Sequence, residues 1–175
     1  ICMLRDEDDY DSYFEDTMRA GHYENRKESV DIMIRSSQEI IRQLVGYGVD
    51  FEKKDGDFAF TREGAHSRPR ILFHEDVTGK EITSKLLEQV KALKNVTLYE
   101  YTTMTDLLID DGICKGIKAV RRNEDGSGET EELEIYGENT ILASGGIGGL
   151  YRHSTNFPHL TGDALEIAKK HGIRL

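Results

Sequence analysis

The sequence predicts an α/β fold, and three patterns support that class. Apolar residues recur at helical spacing in three stretches, 29–45, 79–94 and 162–171. β-Branched and aromatic residues, interrupted by tight turns, fill residues 96–143. The last of these segments runs directly into a glycine-rich turn at 144–149, where a backbone without side chains allows close approach of a ligand.

The three helices each carry an apolar stripe and terminal signals. The first stripe comprises Val30, Met33, Ile34, Ile40, Ile41, Leu44 and Val45, with Ser29 as the expected N-cap. The second comprises Ile82, Leu86, Leu87, Val90 and Leu93, preceded by a capping box from Thr78 to Glu81. The third comprises Ala164, Leu165, Ile167 and Ala168, with Thr161 as the expected cap. We therefore expect three helices that each bury one face.

The strands are expected as one strand followed by a three-stranded meander and a last buried strand. Asp111-Gly112 is a strong hairpin signal, and residues 123–128 form a second expected turn. The expected strands cover residues 96–101, 106–110, 113–122, 131–136 and 140–143.

Length and charge limit the function. A chain of 175 residues has the size of about one domain, since domains mostly contain ~100–200 residues. With 23 basic and 33 acidic residues the net charge is −10, which argues against nucleic acid and anionic membranes as partners. No apolar run approaches the ~18 residues of a membrane span. Two cysteines, too few for a disulfide framework, favour a cytoplasmic location.

Two polar segments are candidates for function. Residues 6–16 hold seven carboxylates, which we interpret as a solvated acidic segment because their spacing matches no calcium loop. Residues 61–70 place three arginines near Glu63 and could bind a dicarboxylic acid, although a solvated loop of mixed charge is the alternative. The histidines lack the spacing of a zinc site, and we interpret Cys114, on a strand, as a buried inert thiol.

The glycine-rich turn and the helix after it are the remaining candidates. Gly146-Ile147-Gly148 begins a GxGxxG pattern, but Tyr151 occupies the place of the third glycine. The turn is therefore either a phosphate-binding or a purely structural one. Asp163 either stabilises the helix dipole or binds a polar group of a cofactor.

Four stretches together resemble the L-aspartate oxidases, within the flavoprotein family of succinate dehydrogenase and fumarate reductase. They are LRDEDDYDSYFEDTMRAGHYEN, TREGAHSRPRILFHEDVTGKEI, EYTTMTDLL and ILASGGIGGLYRHSTNFPHLTGDALEIAKKHG. The resemblance implies part of an FAD-binding Rossmann-like domain with a three-stranded β-meander. It implies that residues 1–150 are a partial FAD-binding domain, without the N-terminal GxGxxG, and that 151–175 begin a capping domain. The chain starts at Ile1 and ends at Leu175, so we expect an internal fragment.

The resemblance also implies the reaction and the site residues. L-Aspartate would be oxidised to iminoaspartate by hydride transfer to FAD, with oxygen or fumarate as acceptor, in quinolinate and NAD biosynthesis. Glu63 would orient the substrate amino group, while the catalytic residues would lie outside this segment and no metal would take part. The residues expected to contact FAD are Thr103, Met104, Ala143, Ser144, Gly145 and Asp163.

Two alternatives stay open at this point. One is a fragment of a fumarate reductase or succinate dehydrogenase flavoprotein, and the other is a non-catalytic α/β module. We expect the fragment alone to be inactive and to hold FAD weakly or not at all. Core surface left exposed by the missing strands would make the fragment self-associate.

Overall fold

A computed structural model describes residues 1–127 and 130–175. The chain divides into two compact units, residues 1–96 and 97–175. Both contain helices and small antiparallel sheets, so the predicted α/β class is confirmed at that level. Among the described residues, no helix is long and apolar enough to cross a membrane.

The first unit is mostly helical. A 3₁₀ turn, Glu7–Asp9, leads into α1 (Tyr10–Ala20), which is followed by α2 (Lys27–Gly46). Two short strands, β1 (Lys53–Lys54) and β2 (Asp57–Phe58), form a hairpin before α3 (Thr78–Ala92). Isolated β-bridges join Ile71 to both Cys2 and Thr61. These bridges bring the start of the chain beside the loop at 61–70.

The predicted first helix is confirmed as α2, but its apolar stripe is wider than the core it contacts. Val30 and Ile34 pack with residues of α1, whereas Ile41 and Leu44 pack in a second cluster with Val49, Phe51 and Leu72. Met33, Ile40 and Val45, which the stripe also contains, are 41–46 % exposed. The predicted Ser29 cap is wrong, since Arg26 occupies the N-cap position.

The second predicted helix is confirmed as α3, without its capping box. Thr78 Oγ1 accepts a hydrogen bond from the backbone of His74, and Glu81 accepts one from the backbone of Asp50. Both side chains thus satisfy backbone groups of neighbouring segments instead of the helix start. None of the α3 residues is fully buried, although Ile82 and Leu86 pack against the second core cluster.

The second unit contains the predicted meander. Strands β3 (Thr102–Asp110), β4 (Ile113–Arg121) and β5 (Glu131–Tyr136) form an antiparallel sheet in the order β3-β4-β5. Asp111 and Gly112, both at positive φ (47° and 75°), make the tight turn that the sequence predicts. In the second predicted turn, at 123–128, the Gly126 amide donates a hydrogen bond to the Asn123 carbonyl. Residue 128 lies outside the described residues.

Two predicted strands are absent. Residues 96–101 and 140–143 have no strand conformation, and Ile141 is 88 % exposed. A strand needs a partner for its backbone groups, and no described segment pairs with either stretch. The β-branched composition alone therefore misidentified them.

The last helix, α4 (Asp163–Lys170), confirms the third helical prediction. Ala164, Ile167 and Ala168 are buried, while Leu165 is 36 % exposed. The N-cap is Gly162 in the left-handed conformation, so the predicted Thr161 cap is wrong. Residues at the end of this helix bind Asp106 of β3: Lys170 Nζ lies 2.6 Å from its carboxylate.

Candidate functional site

A fully buried arginine organises the loop of the first unit. Arg70 is 0 % exposed and lies between two carboxylates that are also buried, Asp9 and Asp16. Its Nε and Nη2 donate to the two oxygens of Asp9 at 3.1 and 2.7 Å, and Nη1 donates to Asp16 at 2.7 Å. Nη2 also donates to Ser12 Oγ at 2.9 Å. Every polar edge of the guanidinium therefore has an acceptor, as a buried charge requires.

Helical spacing explains why these acceptors converge. Asp9, Ser12 and Asp16 are separated by three and four residues, so they share one face of the helical segment. Tyr13 presents its ring to the guanidinium from the same segment, with the Arg70 carbon 4.9 Å from the ring centroid. The backbone of Arg70 is anchored independently, because its carbonyl accepts a hydrogen bond from Met3 at 2.9 Å.

The Arg70 cluster, which consists of Arg70, Asp9, Ser12 and Asp16, keeps its two carboxyl groups ionised. Burial opposes ionisation of Asp16, but hydrogen bonds from Ser67 and from Arg70 outweigh it and lower the pKa to about 2. For Asp9 burial is likewise outweighed, by hydrogen bonds from Arg70 and Ser12, and its pKa is lowered. The interpretation of residues 6–16 as a solvated segment is therefore wrong for these two aspartates.

The loop that carries Glu63 is pinned to the same cluster. Ser67 donates from its backbone and its hydroxyl to Asp16, at 2.6 and 2.7 Å, and the His66 amide donates to the Glu63 carbonyl at 3.3 Å. The Glu63 side chain is exposed. Within the described part of the chain its carboxylate makes no hydrogen bond or ion pair, so it is available to a ligand.

A cavity of about 550 Å³ adjoins this loop within the first unit. Its walls are mostly apolar, and its polar lining includes Tyr13 and His66. Arg70 Nη1 lies 3.2 Å from His66 Nδ1, and His66 Nε2 lies 3.4 Å from Cys2 Sγ. Burial and the positive charge of Arg70 lower the pKa of His66.

The glycine-rich turn of the second unit is packed against the segment that precedes α4. The Gly149 amide donates to the Leu160 carbonyl at 2.9 Å. A Cβ on Gly162, which has φ +74°, would lie 2.4 Å from the Ile147 side chain, and one on Gly145 (φ +82°) would lie 3.1 Å from Leu160. Only glycine therefore fits at Gly162 without displacing its neighbour.

This packing leaves a row of backbone groups open to solvent. Ala143, Ser144 and Gly145 are exposed, and the amides of residues 144–146 have no partner among the described residues. Asp163 follows Gly162 in the first turn of α4 and accepts a hydrogen bond from Thr161 at 2.9 Å. The structure thus brings four of the predicted cofactor residues to one region of the second unit.

The two other predicted cofactor residues lie on the meander. Thr103 is exposed and pairs with Val120, and Met104 is half-buried and pairs with Ala119. A register shift follows Met104, so the strand changes its pairing there.

Sequence reasoning missed the Arg70 cluster and the Cys2–His66 pair. A signal for the cluster was present, because Asp9, Ser12 and Asp16 recur at helical spacing beside the apolar residues Tyr13 and Met18. Such a stripe places carboxylates next to the core, where they need a buried cation. Nothing in the sequence near Cys2 indicated its contact with His66, which is 64 residues away.

Residues 2–175 match the family model for an FAD binding domain, and the chain belongs to this family. The match confirms the FAD cofactor that the resemblance implied.

Similar proteins refine this class. The L-aspartate oxidase of Clostridium perfringens is 39% identical over 175 residues, which is 100% of this chain and 38% of that protein. The L-aspartate oxidase of Clostridium acetobutylicum is 41% identical over 162 residues, 92% of this chain and 36% of that protein. The chain therefore spans less than two fifths of the length of these relatives, and the resemblance to L-aspartate oxidases is confirmed.

Solved structures share the fold. A quinol fumarate reductase structure from Escherichia coli has a TM-score of 0.87 at 25% identity, covering 97% of this chain and 28% of that one. The Mycobacterium smegmatis Sdh1 structure in complex with UQ1 has a TM-score of 0.79 at 28% identity, covering 94% and 29%. The small sheets and helices described above therefore correspond to a region of larger chains.

Proposed function

We propose that this chain is part of the FAD-binding domain of an L-aspartate oxidase that converts L-aspartate to iminoaspartate. The observation that carries the proposal is the 39% identity to such an enzyme over the whole chain. FAD, when bound, accepts the hydride that leaves Cα of the substrate. Oxygen or fumarate would then be the final electron acceptor, and the product would enter quinolinate and NAD biosynthesis.

Glu63 is proposed to orient the substrate amino group. An exposed carboxylate without a protein partner suits an ammonium group, which needs an anionic acceptor. The bonds from Ser67 to Asp16 hold the backbone of the loop on which Glu63 lies, which supports this role. Pre-positioning of this kind reduces the entropy that substrate binding must offset.

The second unit is proposed to hold part of FAD. The open amides after Ala143, together with the Ser144 hydroxyl, are donors suited to the oxygens of a dinucleotide. Apart from its chain neighbours, no described residue lies within 4 Å of the place of a Cβ on Gly146, so a ligand can approach the backbone there, whereas Gly145 and Gly162 allow the turn and the start of α4 to pack together. Asp163 follows Gly162 in the first turn of α4. Thr103 and Met104 are proposed to meet the adenine end.

Further features of the whole protein belong to the same proposal. The chain would form part of a Rossmann-like domain, with a capping domain beginning near Tyr151. The two free cysteines favour a cytoplasmic location. Self-association is supported by exposed apolar side chains on α2, Met33 and Ile40 among them.

Replacement of Glu63 by Gln in the full-length protein tests this function. Loss of a charge-assisted hydrogen bond of about 1.5–3 kcal/mol should lower kcat/KM for L-aspartate roughly 10–100-fold. Fumarate reduction by the same variant should change little, since fumarate has no amino group. Glu75→Gln, another exposed glutamate of the 61–76 region, is the matched control and should leave both activities unaltered. Unchanged aspartate turnover in Glu63→Gln would exclude the proposed role.

A second candidate is a fumarate reductase flavoprotein, which the TM-score of 0.87 to the Escherichia coli structure favours. The two candidates differ in the electron donor that they use. Purified full-length protein that reduces fumarate but fails to oxidise L-aspartate under oxygen would support the second candidate over the first. Flavin absorbance in either case would exclude a non-catalytic module.

A further inference from the structure

Asp106 of β3 binds the C-terminal end of α4 through both oxygens of its carboxylate. Lys170 Nζ donates to Oδ2 at 2.6 Å, and His171 Nε2 lies 2.6 Å from Oδ1. The Leu107 amide also donates to Oδ1, at 2.9 Å. These donors lower the pKa of Asp106, the hydrogen bond from Lys170 most of all, so the carboxylate stays ionised. The contacts to Lys170 and His171 form the Asp106 anchor, which joins the strand to the helix.

An irregularity in β3 directly precedes this carboxylate. The register of β3 on β4 shifts between Met104 and Asp106, and Thr105 has no register partner among the described residues of β4. An extra residue of this kind, a β-bulge, changes the direction in which the following side chains point. Met104, before the bulge, is one of the proposed FAD contacts, whereas Asp106, after it, holds the helix. The strand thus carries a proposed cofactor contact and the helix anchor two residues apart.

The opposite end of α4 carries another proposed FAD contact. Asp163 begins the helix, and Gly162 before it packs against Ile147 of the glycine-rich turn. The helix has eight residues and is about 12 Å long, so it moves as one short rod. Its buried residues, only one of which is large, are Ala164, Ile167 and Ala168. Because this apolar face is small, a polar anchor at the C-terminal end has a large share in setting the direction of the whole helix.

We propose that Asp106 is a positioning residue for FAD, an inference that rests on the proposed function of the second unit. It acts through α4, because the anchor fixes the start of that helix, with Asp163, relative to Thr103 and Met104 on β3. The contacts from the strand and from the helix are then already arranged when FAD binds, so binding does not have to order them. Without the anchor α4 is free to tilt on its small apolar face, and ordering it lowers the affinity for FAD.

The Kd for FAD of the full-length protein, titrated after removal of the flavin, tests the proposal. Asp106→Ala removes the carboxylate and should raise the Kd roughly tenfold. Lys170→Met removes one donor on the helix side and should raise the Kd in the same direction, whereas Lys170→Arg keeps the charge and should stay close to wild type. The double variant should be no weaker than Asp106→Ala alone, since both changes break the same contact. An unchanged Kd in Asp106→Ala, or additive effects in the double variant, would overturn the proposal.

A matched control separates positioning from general stabilisation. Glu134→Ala breaks an exposed ion pair with Lys118, at 3.8 Å, on the same sheet but on β5, and it should leave the Kd for FAD unaltered. The Tm of each variant is measured beside its Kd. A lower Tm of Asp106→Ala with an unchanged Kd would show a purely structural role and would contradict the proposal. The Lys170 side chain is 61% exposed, so Lys170→Met keeps the test decisive if Asp106→Ala fails to fold.

Hydrogen exchange of the FAD-free full-length protein supplies a second readout. The amides of α4 should exchange faster in Asp106→Ala than in wild type, whereas α3, in the first unit, should keep its exchange rate. Equal protection of α4 in both proteins would show that the anchor does not hold the helix. Neither readout depends on turnover of aspartate. Wild-type protein that binds FAD but does not oxidise L-aspartate would disprove the proposed function, and the Kd series would still decide the role of Asp106.

Discussion

At the scale of single residues, the distinctive feature is a buried guanidinium shared by two carboxylates. Arg70 links the helical segment 7–20 to the loop 61–70, and Asp16 is bonded at once to Arg70, Ser67 and Arg19. Buried ion pairs contribute little to net stability while intact, because desolvation offsets the attraction. Removal of only one partner is different, because the other charge then stays buried without a counter-charge.

Replacement of Arg70 by Met should therefore destabilise the protein strongly. Two buried carboxylates lose their cation, and breaking such a pair costs about 3–5 kcal/mol. Chemical denaturation followed by circular dichroism measures the change. Arg68→Gln is the control, because the Arg68 side chain is 53% exposed and its Nε lies as far as 3.9 Å from the Asp9 carboxylate. The free energy of unfolding of this variant should stay within about 0.5 kcal/mol of wild type. A small effect of the Arg70 change would mean that water reaches the cluster.

Acid should weaken the fold through Asp16. Its pKa is lowered to about 2 in the folded protein, so folding favours the carboxylate form. The resulting stabilisation is complete above the unfolded pKa of about 4 and is lost as the pH falls towards 2. Asp16→Asn should remove part of this pH dependence, whereas Asp11→Asn, at an exposed site of the same helix, should preserve it. Denaturation midpoints between pH 2 and 6 provide the measurement.

At the scale of elements, periodicity predicted α2, α3, α4 and the meander, but not their ends. It missed α1, because residues 6–16 were interpreted as a solvated acidic segment. The stripe of α2 identified Val30, Ile34, Ile41 and Leu44 as core, because burial follows the helical period. It could not exclude Met33 and Ile40, since the width of the face that a core covers depends on tertiary packing. Caps failed for a similar reason: Thr78 and Glu81 accept hydrogen bonds from the backbone of His74 and Asp50, which lie outside the helix.

The sheet offers a prediction about glycine. Gly116 on β4 has φ +145°, and a Cβ there would lie 2.0 Å from the Ile135 carbonyl oxygen. Gly116→Ala must therefore displace backbone of β5 and should destabilise the protein by more than ~1 kcal/mol. Gly79→Ala, in the first turn of α3 with nothing within 4 Å, is the control and should be neutral or stabilising by up to about 1 kcal/mol. The Tm of each variant measures these effects, and Gly116→Ala should have the lower one.

At the scale of the whole molecule, local pattern and resemblance contributed different parts. Pattern placed the glycine-rich turn and Asp163 near each other in sequence, and the structure brings them into one region. Only the resemblance singled out Glu63, because an isolated glutamate in a polar loop has no periodic signal. Neither route found the Cys2–His66 contact, which depends on chain pairing across 64 residues.

The last prediction concerns FAD and the isolated chain of 175 residues. Its open amides at 144–146 can contact part of a dinucleotide, but no GxGxxG loop occurs within the printed sequence. Since helix N-termini with such loops bind the phosphates, we expect the isolated chain to bind FAD with a Kd weaker than about 1 μM, an affinity of −8.2 kcal/mol. Fluorescence titration of FAD measures this affinity. Sub-micromolar binding by the isolated chain would show that the second unit suffices for the cofactor.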